Sequence, residues 1–365
     1  MKRITFLITA LLTLACPAFV MAGKPATPAS KSDTTLFAAS NPLIQYTGRI
    51  DFSDPASPKF WTPGVYVKAR FQGSFCEVLI EDEVQYGSNH NYIAIQVDGQ
   101  KPVRMKLTAK VNVISAGTNL SEGAHTITIC KNTETNIGYL QFKGIRCKAL
   151  LPLPAKPLRR IEFIGNSITC GAGSDTSVIA CDKGAWYDRH NAFMSYGPVT
   201  ARALQAQWHL TSYSGIGLIH SCCDLKITMP QIFDKVNMQA DSIPWNFSKY
   251  VPDVVTITLG ENDGVQDSIK FCSAYVSFLQ QLRMHYPKAQ LVCLTSPMAD
   301  ERLLAALKNY ILGVVKYQRG AGDKKVSYYF YAKRYHGGCG EHPSLAEHQL
   351  IAGELTGYLK KLMHW

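Results

Sequence analysis

Two rhythms of apolar and polar positions divide the chain. Over about 36–150 the runs are short and alternate with period two. Val65, Val67, Ala69 and Phe71 fall on one face of a strand, and Tyr66, Lys68 and Arg70 on the other. Tyr92-Ile93-Ala94-Ile95-Gln96-Val97 runs straight into Asp98-Gly99, a hairpin signal, because both residue types tolerate the left-handed backbone that a tight turn needs. A third strand is expected over 124–129 and a fourth from 140 to 145. Several strands at this spacing, with almost no helical periodicity, predict an antiparallel β-sandwich or jelly roll. A stiff Pro-rich joint follows at 151–157, with Pro152, Pro154 and Pro157.

From 158 to 365 the rhythm becomes strand, loop, helix. Apolar runs predict buried strands at 160–164, 208–213, 254–259, 290–295 and 326–331. Helical periodicity predicts helices at 196–205, 268–285, 300–319 and 344–362, the third with Leu303, Leu304, Leu307, Ile311 and Val314 as its core stripe. This alternation implies an α/β unit with a parallel sheet and helices on both faces, where chemistry sits beyond the carboxyl ends of the strands.

Those strand ends carry the residues of interest. The first strand ends in Ile164-Gly165-Asn166-Ser167, the second in Ser214-Gly215 and the third in Gly260-Glu261-Asn262-Asp263. Cys339-Gly340-Glu341-His342-Pro343 precedes the last helix. Acyl transfer needs a nucleophile, a base to take its proton, and donors that meet a developing oxyanion. Ser167, His342, the Gly215 N–H and the Asn262 side-chain amide supply that set. Asp263 and Glu261 read as structural. Trp245 is either a core residue or a platform for a sugar ring. The loop over 171–193, with Trp186, reads as a rim of the cleft.

The order Gly-x-Ser, Gly, Gly-x-Asn-Asp, His-Pro resembles the SGNH (GDSL-like) hydrolases from about Leu158 to Trp365. The run from Ile243-Pro244-Trp245 through Pro252-Asp253-Val254, with β structure in front, makes the whole chain similar to carbohydrate esterase family 2. The resemblance implies a three-layer, flavodoxin-like hydrolase domain behind a jelly-roll domain, and removal of acetyl groups from plant polysaccharides. It implies Ser167 as nucleophile, His342 as general base and then acid, and an oxyanion hole formed by the Ser167 N–H, the Gly215 N–H and Asn262. No cofactor or metal is implied. SGNH enzymes usually have Asp where Asn166 stands, and many carry the third triad member, an Asp, where Cys339 stands. Glu341 is adjacent to His342 and so poorly placed to replace it. The expectation is a Ser167–His342 dyad whose imidazole is oriented by main chain near Cys339. Two other classes stay open: an esterase for another acyl group, such as a lipid or cell-wall acetyl, and a non-catalytic carbohydrate-binding relative.

Composition narrows the setting. With 46% hydrophobic and 18% charged residues among 365, disorder and a coiled coil are excluded. The net charge of +11 is scattered, with no basic run or basic helix, so nucleic acid has no support as a partner. The expected partner is an acetylated oligo- or polysaccharide. Lys2 and Arg3 precede an apolar stretch over 4–22, broken by Pro17, which predicts a secretory signal peptide over 1–22 and a flexible tether over 23–35. Cys16, as an acylated cysteine, is the alternative and would anchor the protein to the outer membrane. Either way the chain is expected to be exported, to the periplasm or beyond, and no segment reads as a transmembrane span. Export permits disulfides. Cys170 and Cys181, bracketing a polar loop, are the better bridge candidates, and Cys293 reads as a buried thiol.

Overall fold

The structure, a computed structural model, describes Met1 and residues 34–116 and 120–365. The expected signal peptide, Cys16 and nearly all of the tether lie outside the described residues.

The first half builds one antiparallel sheet from β1 (Thr35–Ala38), β2 (Gln45–Thr47), β3 (Lys59–Phe60), β4 (Tyr66–Asp82), β5 (Tyr92–Val97), β6 (Val103–Lys106), β7 (Val111–Ser115), β8 (Ala124–Lys131) and β9 (Leu140–Leu151). Its main path runs β1-β9-β4-β8-β5-β6, with β2 and β7 also on β4 and β3 on β9. The period-two pattern explains its core: Val65, Val67, Ala69 and Phe71 are buried with Ile93, Ile95, Ile127 and Ile129. Asp98 and Gly99 take positive φ values of 50° and 70°, as the hairpin turn requires.

After the Pro-rich joint come β10 (Arg160–Gly165), α1 (Ser167–Cys170), α2 (Tyr196–Ala203), β11 (Gln207–Ser212), α3 (Met229–Ile232), β12 (Lys235–Asn237), β13 (Ser242–Pro244), β14 (Val254–Thr258), α4 (Ser268–His285), β15 (Gln290–Leu294), α5 (Glu301–Gly320), β16 (Val326–Tyr329) and α6 (Leu345–Met363). The parallel sheet has the order β11-β10-β14-β15-β16. In sequence order of its strands this is 2-1-3-4-5, the doubly wound arrangement whose switch point lies between β10 and β14. Helices α4 and α5 cover one face through Phe271, Phe278, Leu307 and Ile311. Helices α2 and α6 cover the other through Tyr196, Ile351 and Leu355.

That second core is continuous with the antiparallel domain, since Tyr66, Ala94 and Cys130 belong to it. Tyr66 lies on Trp208 with ring centroids 3.9 Å apart, and the Trp208 indole donates to the Gly64 carbonyl at 2.8 Å. Arg49 is fully buried and reaches Glu162 on β10 at 3.1 Å. The two domains are therefore packed and charge-paired against each other. Among the described residues no helix is long and apolar enough to cross a membrane.

Candidate active site

The site starts from a turn that only glycine allows. A Cβ at Gly165, the end of β10, would sit 2.1 Å from Thr169 Oγ1, so the missing side chain lets the strand pass at once into α1. Asn166 caps α1, its amide oxygen accepting from the Ile168 N–H at 3.2 Å. Ser167 thereby becomes the first residue of a helix at the carboxyl end of a central strand, 8% exposed.

His342 comes to it from the other end of the chain. Its Nε2 lies 2.8 Å from Ser167 Oγ, and its Nδ1 lies 3.2 Å from the Cys339 carbonyl oxygen. A carbonyl can only accept, so Nδ1 carries the proton and the Nε2 lone pair faces the serine hydroxyl. Burial lowers the His342 pKa below that of an ordinary imidazole, partly offset by the Cys339 carbonyl. Glu341 is turned away: its carboxylate accepts from Arg334 at 2.6 Å.

The Cys339 carbonyl is fixed on three sides. Cys339 donates its N–H to Gly173 O at 2.9 Å and is disulfide-bonded to Cys181. A Cβ at Gly173, which has φ 64°, would fall 2.5 Å from that same carbonyl oxygen. Of the two bridge candidates, Cys181 is bonded and Cys170 is not. Cys170 lies on α1 as a buried free thiol 3.2 Å from Ser212 Oγ, whereas Cys181 sits at the rim, where Cys339 also lies. Cys293 is a buried free thiol, as its apolar strand predicts.

The expected donors Gly215 and Asn262 lie beyond the ends of β11 and β14. Gly215, just beyond β11, has φ 79°, and a Cβ there would lie 3.0 Å from Cys222 Sγ. Asn262, just beyond β14, donates one amide hydrogen to Ile216 O at 2.8 Å, which ties it to the Gly215 loop and leaves the second hydrogen for a ligand. Asp263 accepts from the N–H groups of Leu218, Ile219 and His220 at 2.9, 2.7 and 3.0 Å, the structural role expected of it.

These residues line one cleft of about 380 Å³: Ser167, Gly215, Asn262 and His342, with Trp186 and His190 on its wall and the disulfide-bonded pair Cys222–Cys223 beside Gly215. Trp186 is 48% exposed and meets His190 edge-on at 4.6 Å, so its ring is open to a ligand. Trp245 is not in the cleft. It is 6% exposed, packs with Trp61, Val236 and Tyr250, and has the Arg49 guanidinium 5.4 Å from its ring. It borders a larger cavity of about 440 Å³, shared with Arg160 and Gln207 at the amino ends of β10 and β11. That cavity holds neither Ser167 nor His342, and the sugar-platform reading of Trp245 gives way to the core reading.

Sequence reasoning missed Glu134. It follows β8 in the antiparallel domain, is fully buried, and accepts from the Ser214 N–H at 2.9 Å and from the Ser214 hydroxyl. His190 Nε2 lies 2.7 Å from the same carboxylate. The rim loop is held from the same side. Asp188 accepts from the Tyr92 hydroxyl at 2.8 Å and pairs with Lys106 at 2.9 Å, and Arg104 donates to the His190 carbonyl at 2.8 Å. Only the unusual polarity of Lys131-Asn132-Thr133-Glu134, directly after an apolar strand, could have signalled this.

Residues 46–157 match the family model described as carbohydrate esterase 2 N-terminal. An acetylxylan esterase / glucomannan deacetylase of Cellvibrio japonicus is 30% identical over 346 residues, covering 92% of this chain and 93% of that protein. The chain belongs to carbohydrate esterase family 2. Members of this family are carboxylic-ester hydrolases. The cellulase/esterase CelE of Acetivibrio thermocellus is 35% identical over 336 residues; the match covers 89% of this chain and spans 40% of CelE's length. A family two carbohydrate esterase from Clostridium thermocellum, solved with cellohexaose, superposes with a TM-score of 0.81 at 33% identity, covering 88% of this chain and 99% of that one.

Proposed function

We propose that this chain is an exported carbohydrate O-acetylesterase that removes acetyl groups from xylan- or glucomannan-type polysaccharide through a Ser167–His342 dyad. The observation that carries the reading is the 2.8 Å approach of His342 Nε2 to Ser167 Oγ, with Nδ1 committed to the Cys339 carbonyl. Ser167 Oγ attacks the acetyl carbon while Nε2 takes its proton. The carbonyl oxygen becomes an oxyanion, met by the N–H groups of Ser167 and Gly215 and the Asn262 amide. The imidazolium then protonates the departing sugar oxygen, the ester C–O bond breaks, and acetyl stays on Ser167. Water, deprotonated by His342, attacks the acetyl-serine; acetate leaves and Ser167 regains its proton.

The substrate class draws support from the named activity of the Cellvibrio japonicus relative and from the open Trp186 face on the wall of the cleft. Export rests on the pattern of Lys2, Arg3 and the apolar stretch over 4–22.

Acetate release from acetylated xylan, acetylated glucomannan and 4-nitrophenyl acetate by the wild type and by Ser167→Ala tests the reading. The wild type is expected to act on all three and to fail on butyrate, and the folded variant to lose activity by at least about a thousandfold. Retained activity in Ser167→Ala would overturn the dyad. Good turnover of butyrate would move the substrate away from acetyl, and polysaccharide binding without any acetate release would make the chain a binding protein.

A further inference from the structure

We propose that Glu134, contributed by the antiparallel domain, is a positioning residue for catalysis: it holds the oxyanion donor Gly215 in place from across the domain boundary. The inference rests on the dyad reading above and deepens it.

The geometry is specific. Both carboxylate oxygens of Glu134 engage Ser214, one through its N–H at 2.9 Å and the other through its hydroxyl. Ser214 is the residue immediately before Gly215, which lines the cleft just beyond the end of β11. A carboxylate that grips both the N–H and the side chain of one residue fixes the peptide plane on one side of it and limits rotation into the next. The donor that follows has no side chain to steady it and sits at φ 79°. A free glycine loop would sample many conformations, so an external clamp is what keeps its N–H aimed.

Glu134 cannot relax elsewhere. It is fully buried, and the segment that carries it is itself docked: Asn132 accepts from the Phe193 N–H at 3.0 Å, and the Lys131 ammonium donates to the carbonyls of Thr133 and Glu134 at 2.7 and 2.9 Å. His190, on the cleft wall, lies 2.7 Å from the same carboxylate, so one group braces both the oxyanion loop and the rim. A buried carboxylate is costly unless fully engaged, and here each oxygen is engaged by groups of the other domain. The antiparallel domain is on this account part of the catalytic apparatus, and the hydrolase half alone lacks a preorganised site.

The test is kinetic, on the full chain, beside Ser167→Ala. Loss of activity in Ser167→Ala checks the dyad independently, so a failed dyad and a failed clamp are distinguishable. Glu134→Gln, which keeps shape but weakens acceptance, is expected to lower kcat on 4-nitrophenyl acetate by about tenfold to a hundredfold with KM within about twofold, less than outright loss of a donor. Affinity for an arylboronic acid, which places a tetrahedral oxyanion on Ser167, is expected to fall by the same factor as kcat. Binding of an unreactive oligosaccharide is expected to stay unchanged. Equal kcat and boronate affinity in Glu134→Gln and wild type would overturn the proposal, as would equal loss of oligosaccharide binding, which signals general disorder. If Glu134→Gln does not fold, Ser214→Ala decides: it removes the hydroxyl clamp while leaving the carboxylate in its cavity, and an unchanged kcat there would equally refute the role.

Discussion

At the scale of single residues the proposed Ser167–His342 dyad depends on a neutral imidazole. Burial lowers the His342 pKa, so the base form required for attack persists to pH values below 6.5, where an exposed histidine would already be half protonated. The acid limb of kcat/KM is therefore expected to have its midpoint below about 6.5, and a pH–rate profile on 4-nitrophenyl acetate measures it. A midpoint at or above that value would mean that something stabilises the imidazolium more strongly than a carbonyl does. Glu341 is the one carboxylate next to His342 in the chain, and it bonds Arg334 instead. Glu341→Gln should keep kcat within about threefold of wild type; a loss of a hundredfold or more with unchanged folding would restore Glu341 to the triad. Ser167, Gly215, Asn262 and His342 were legible in the sequence because each sits at a strand end or helix start, positions that apolar periodicity marks. Trp245 was not, because a tryptophan beside a Pro-rich turn reads the same whether its ring faces core or ligand.

At the scale of elements, the proposed dyad assigns to the turn Cys339–Glu341, whose Cys339 carbonyl lies 3.2 Å from His342 Nδ1, the orienting work that a carboxylate performs in a triad. Gly340 and Glu341 both have φ 59°, so the turn is an uncommon backbone path that needs external support. The Cys181–Cys339 disulfide and the Cys339 N–H bond to Gly173 supply it. Cys181→Ser is expected to lower kcat more than it raises KM, because the carbonyl that fixes the His342 tautomer loses one of its anchors. Steady-state kinetics with a check of folding by circular dichroism would show this, and a KM-only effect would assign the bridge to the rim loop. Most elements were readable: α4 spans Ser268–His285, as its periodicity predicts. The length of β4 was not. It continues to Asp82 past Gly73-Ser74, where the sequence looks like a turn but the strand changes register against β9 between Gln72 and Cys76.

At the scale of the whole molecule, the joint over 151–157 reads as a stiff spacer, yet the domains share a core and a buried ion pair. Arg49 and Glu162 are both buried, and the guanidinium also donates to the Lys235 carbonyl at 2.8 Å. Removing one partner leaves the other charge uncompensated, so Arg49→Ala should lower unfolding free energy by about 3–5 kcal/mol. Urea denaturation followed by two probes, one in each domain, would measure it. The wild type should unfold in a single transition, and a wild type whose domains unfold separately would contradict the shared core.

The sequence by itself determined the two kinds of layer, the order of the five parallel strands and the four longest helices in the second half, and the four segments able to carry acyl chemistry. Those features are written in local polarity: a period of two or 3.6 decides which face is buried, and the chain's alternation decides that strands lie parallel with their active ends together. Only the tertiary structure decided that Glu134 reaches Ser214, that Cys181 meets Cys339, and that Arg49 meets Glu162. Such pairings join positions far apart along the chain, and a carboxylate, a thiol or a guanidinium carries no local signal of its partner. Each becomes specific only when folding excludes water and leaves one group within reach.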